Sequence, residues 1–155
     1  MAGARGVTLI EMLIVLALVG LLAGISFPSV SSGVDGLRIS GAADGVTSFL
    51  SSAASAAERR QQPVELVIST RAGAMRARSI APGYERRFSL PQGVRIVAVF
   101  PEQPYETDED RRFLLYPGDA PPRIGVELAN RRGARRVVRV NPVTGVPEVE
   151  RSESR

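Results

Sequence analysis

Between Val7 and Phe27 the chain reads VTLIEMLIVLALVGLLAGISF, an almost wholly apolar run with a single charge at Glu11. At 1.5 Å per residue it predicts an α-helix of about 32 Å, enough to cross the hydrocarbon core of a bilayer. That run constrains the rest. Of 155 residues, those left behind it suffice for one domain of roughly 100 residues, near the common domain size.

A secretory signal peptide fits poorly. It needs a basic leader, an apolar stretch of about 7–15 residues and a small-x-small cleavage site. Here the leader offers Arg5 alone, the run is longer, and AGISFPSVSS is a weak site. A plain single-pass anchor fits the length but leaves Glu11 unexplained. A carboxylate at mid-span costs about 2.5–3.5 kcal/mol on insertion scales and less near an end, so it calls for a partner. A cut between Gly6 and Val7 would supply one. The new α-amino group lies four residues before Glu11. In a packed bundle, the amine of one subunit can sit beside Glu11 of its neighbour, and the pair sets axial register.

RGVTLIEMLIVLALVGLLAG resembles the processing signal of type IV prepilins and type II secretion pseudopilins. The shared features are a short leader, Gly before the cut, Glu at the fifth mature position and an apolar helix. The resemblance implies that prepilin peptidase cleaves between Gly6 and Val7 and N-methylates Val7. It makes Glu11 the filament-assembly residue and Pro28 the helix-kinking proline. The mature chain would begin with Val7, where family members usually have Phe. Arg5 before the span weakly favours a cytoplasmic N-terminus.

Pro28 lacks a backbone N–H and should loosen the helix locally. Beyond it, Val30, Val34, Leu37, Val46, Phe49, Leu50, Ala53 and Ala57 recur at spacings near three or four, predicting an amphipathic helix. Pro63 should stop that helix near Gln61. From there the period changes to two. VELVIS, AMRARSI, RRFSL, VRIVAVF, RRFLLY, RIGVELA, RRVVRVN and VPEVE read as short strands separated by turn signals such as PQG, NRRG and NPVTG. The expected class is α+β: a long N-terminal helix, half transmembrane and half amphipathic, on an antiparallel β-sheet or β-sandwich head, as in pilins. The expected divisions are a leader at 1–6, an assembly helix at 7–28, its amphipathic continuation at 29–61 and a β-rich head at 62–155.

The head adds a looser resemblance, to the H-type minor pseudopilins of type II secretion and the related FimT-like minor pilins. It rests on DGVTSFLSSAASAAERRQQPVELVIS, LPQGVRI and GVELANRRGARRVVRVNPVTGVPEV. It implies a structural subunit of the type II secretion pseudopilus, with the anchor in the bacterial inner membrane and the head in the periplasm. Implied partners are other pseudopilins or pilins through the N-terminal helix, prepilin peptidase, and the secretin or a secreted substrate.

Chemistry finds little footing. The sequence has no Cys, His or Lys, which removes thiol catalysis, His-based acid–base work and the usual zinc ligands. No phosphate-cradling Gly motif is present. The expectation is no enzymatic activity, no catalytic residues, no cofactor and no metal. Two charge runs need weighing. EQPYETDEDRR (102–112) could offer carboxylates to Ca²⁺ but lacks the central Gly and distal Glu of an EF-hand loop, so a solvated loop is the simpler reading. Arg131, Arg132, Arg135, Arg136 and Arg139 form the densest basic cluster, with no aromatic residue interleaved in the sequence. They could hold DNA phosphates or an acidic partner. FimT-like minor pilins include DNA-binding members, which makes DNA uptake by a type IV pilus the rival function. A solvated hairpin edge is the bland alternative.

Overall fold

A computed structural model describes residues 7–102 and 110–151, with side chains at all of these except 25–33 and 151. One long helix precedes eight strands. They are α1 (Leu9–Arg60), β1 (Val64–Ser69), β2 (Ala74–Ser79), β3 (Glu85–Ser89), β4 (Val94–Phe100), β5 (Arg111–Leu115), β6 (Gly125–Asn130), β7 (Arg135–Val140) and β8 (Pro147–Arg151). The helix backbone continues through Pro28, so the proline does not end it. The chain divides into two compact units, 1–34 and 35–155.

In the first unit, the large apolar side chains from Val7 to Leu22 are exposed around the whole circumference of the helix. Among the described residues no helix is long and apolar enough to cross a membrane. The apolar stretch whose side chains are described closes at Gly24, after about 24 Å of helix.

In the second unit the strands form two four-stranded antiparallel sheets, ordered β3-β2-β1-β5 and β4-β6-β7-β8. One cluster joins Ile39, Val46, Phe49 and Leu50 of α1 to Val64, Leu66 and Ile68 of the first sheet and Val126, Leu128 and Val138 of the second. The helix stops at Arg60 because Gln61 adopts φ 50° and the chain reverses. The Gln62 N–H donates to Ala57 O and the Gln61 N–H to Glu58 O, both at 3.3 Å. This pair of bonds satisfies two of the carbonyls in the last turn of the helix, and Pro63 then prevents continuation.

The buried stripe of α1 differs from the expected one. Val46, Phe49, Leu50, Ala53 and Ala57 are buried as expected, and Ile39, Ala42, Ala43 and Ala56 join them. Val34 and Leu37 do not, being 40% and 75% exposed. At about 100° per residue, Leu37 lies roughly opposite Val46 on the helix, so apolar character alone put it on the wrong face. Val30 lies outside the described side chains. In β4 a register shift between Ile96 and Ala98 changes the parity of the strand. Val94, Ile96 and Val99 all turn inward as a result.

Helix and sheet come close at Gly45. A Cβ there would stand 2.6 Å from the Phe88 ring, which itself packs on Phe49 with ring centroids 6.1 Å apart. The missing side chain makes room for the aromatic pair.

Candidate functional site

The N-terminal motif is built on a helix cap. The Glu11 N–H donates to Thr8 Oγ1 at 3.3 Å, and the Met12 N–H to Thr8 O at 3.2 Å. Thr8 is therefore the N-cap, and Glu11 occupies the third helical position of a Thr-x-x-Glu box. Glu11 is the acidic residue of the first turn of α1, where the positive end of the helix dipole favours a carboxylate. This local reason for Glu11 is legible in the sequence as the Thr-x-x-Glu spacing. The side chain is exposed, and among the described residues no ion pair reaches it. Val7 is exposed as well; Gly6 lies outside the described residues.

The five hairpin arginines do not form one patch. Arg132 Nε lies 2.9 Å from Asp35 Oδ2, and Asn130 Nδ2 donates to Asp35 O at 3.4 Å, so the β6–β7 turn is tied to α1. Asn130 also shapes the turn, its Oδ1 accepting from the N–H groups of Arg132 and Ala134. Arg135 Nη1 is 2.8 Å from Glu127 Oε1. Along β7, Val138 and Val140 point into the core. By the alternation of a strand, Arg136 shares their face, whereas Arg135 and Arg139 lie on the other. Arg131 is exposed on the turn. Arg139 stacks over the ring of Phe100, 5.7 Å from its centroid. That aromatic neighbour comes from β4, beyond the reach of a local sequence reading. Phe100 in turn lies over Gly125, where a Cβ would meet the ring carbons at 3.1 Å.

A second set of arginines, which sequence reasoning missed, lies on the first sheet. Arg78 Nε donates to Glu65 Oε2 at 2.8 Å, and Arg112 Nη1 is 3.4 Å from Glu65 Oε1. Arg87 grips Glu85 through two donors at 2.9 and 2.7 Å. The Arg78 hydrogen bond holds the Glu65 carboxyl below its ordinary value of 4.5, and Arg87 does the same for Glu85. These residues come from strands 13 and 47 positions distant from Glu65, which is why no run of charges announced them.

The calcium expectation falls mainly on Glu106, Asp108 and Glu109, outside the described residues. Among the described residues no three His, Cys, Asp or Glu side chains converge as a metal site would need.

Residues 1–27 match the prokaryotic N-terminal methylation motif, the signal found at the head of type IV pilins and pseudopilins. The match supports a pilin-like protein. No curated protein and no solved structure matches the chain.

Proposed function

We propose that the chain is a minor pseudopilin, a structural and non-catalytic subunit of the type II secretion pseudopilus. Prepilin peptidase cuts it between Gly6 and Val7 and methylates the new amine, and the apolar helix then enters the filament. The helix carries this reading: a methylation motif opens a stretch whose apolar side chains are exposed on every face. Such a stretch is stable when lipid or neighbouring helices surround it. Before assembly the helix spans the bacterial inner membrane with its N-terminus in the cytoplasm and the 35–155 unit in the periplasm. In the filament, the Glu11 carboxylate pairs with the protonated Val7 amine of a neighbouring subunit, and other pseudopilins surround the helix. The secretin or a secreted protein meets the head.

The DNA-uptake reading is set second because the hairpin arginines divide between a turn and two strand faces. Two of them are held in ion pairs. A continuous phosphate backbone is best met by an unbroken basic stripe.

The test is the mass of the N-terminal peptide after expression with and without a prepilin peptidase. The expected product is a methylated terminus at Val7 that requires the peptidase. A Met1 terminus under both conditions would remove the filament assignment.

A further inference from the structure

On its outer side, the first sheet arranges charge in two rows. Strand register aligns Arg112, Val67, Arg76 and Arg87 across β5, β1, β2 and β3, and Leu114, Glu65, Arg78 and Glu85 beside them. Within the two rows four arginines face two carboxylates, and Asp110, which lines a cleft with Arg76 and Arg87, brings the net excess on this face to one positive charge. Glu65 is shared by Arg78 and Arg112, and Glu85 is taken by Arg87. Arg76 stands between them, close enough for its charge to act on both carboxylates. Val67 is buried although it lies on this outer face, and its registered neighbours are Arg76 and Arg112.

At one end of the rows, Glu65, Arg78, Ser79, Ile80 and Leu114 line a cleft of about 330 Å³. Ile80 and Leu114 are both exposed there. Arginine is enriched at protein–protein interfaces, and Ile80 and Leu114 add exposed apolar area beside it. Nucleic acid suits the face less well. Glu65 and Glu85 lie in the second row and pair with Arg78, Arg112 and Arg87, which leaves no unbroken basic stripe for a continuous phosphate backbone, and the rows contain no aromatic ring for bases to stack on. A second copy of the chain brings its own net charge of +4 and lacks the overall complementarity.

We propose that the outer face of the first sheet is a docking surface for an acidic protein. Its carboxylates lie along Arg76, Arg87 and Arg112, and one apolar side chain enters the Ile80–Leu114 cleft. The proposal concerns this face alone and stands whether or not the filament reading holds.

The experiment is photocrosslinking in intact cells, with the full chain carrying a photoreactive phenylalanine analogue in place of Ile80. The expected adduct is a polypeptide whose crosslinked segment is rich in Asp and Glu. Its yield should fall about ten-fold in an Arg76→Glu/Arg112→Glu variant and stay constant in Arg123→Glu, an exposed arginine outside both sets. The milder Arg76→Gln/Arg112→Gln pair, checked for an unchanged melting temperature, should lie between and decides the matter if the reversal variant does not fold. Crosslinking to nucleic acid or to a second copy, no adduct at all, or a yield indifferent to these substitutions would each overturn the proposal.

Discussion

Two stretches of α1 use apolar residues in opposite ways. From Leu9 to Leu22 the large apolar side chains are 47–81% exposed, whereas the nine apolar residues of the 39–57 stripe are at most 3% exposed. The difference lies in pattern and size. The first stretch has Leu, Ile and Val all round and no polar face to turn to water. The second is one-sided, and Ala42, Ala43, Ala53, Ala56 and Ala57 let the sheets approach the helix axis. Apolar content alone therefore does not say what a helix packs against. A one-sided stripe finds its partner in its own domain, and a helix apolar on every side needs surroundings that the same domain does not provide.

Substitution in the two stretches should separate them most sharply. Phe49→Ala removes a buried ring and should destabilise the 35–155 unit by about 3–5 kcal/mol. Leu16→Ala should leave that unit within about 0.5 kcal/mol of the parent. Chemical denaturation of both full-length variants in the same detergent measures this, and comparable losses would erase the distinction.

A finer contrast sits inside the second stretch. Ala at Gly45 gains up to about 1 kcal/mol of helix propensity, but its Cβ would press on Phe88 at an overpacking cost of about 1–3 kcal/mol. The net effect should be destabilising. Gly41→Ala meets nothing within 4 Å and should stabilise by up to about 1 kcal/mol. A gain at both positions would mean that the ring yields freely.

The smallest effect is electrostatic. Glu65 is held below its ordinary value of 4.5, chiefly by the Arg78 hydrogen bond. Its stabilising contribution is therefore complete above that value and is lost as pH falls through the lower folded-state value. Thermal melts through the acid range should show the parent losing more stability below pH 4.5 than Glu65→Gln does. Parallel curves would mean that the Glu65 network adds nothing to folding, as many exposed pairs do not.

Much of the fold was legible because its signals are local. VELVIS and VRIVAVF coincide with β1 and β4, and PQG and NRRG mark turns that the chain makes. Every expected strand is present. The misreadings came where a local pattern had two solutions. Leu37 has the residue type of the core but the wrong angle, and the parity of β4 changes at its bulge. The basic hairpin was visible as a run, yet its division between ion pairs and two faces was not. Asp35 and Arg132 are remote in sequence and meet through folding alone.

Residue order by itself determined the N-terminal methylation motif, the all-round apolar helix, the Thr8 cap with Glu11 in the first turn, and the positions of the strands. Each rests on neighbours within a few residues, where periodicity and capping act. Tertiary structure decided that β1 pairs with β5 and β4 with β6. It also decided that Phe100 lies under Arg139 and that arginines from three strands gather around Glu65 and Glu85. Those outcomes depend on which sheet edges meet once the apolar faces are buried, a choice made over the whole domain and written in no single segment of it.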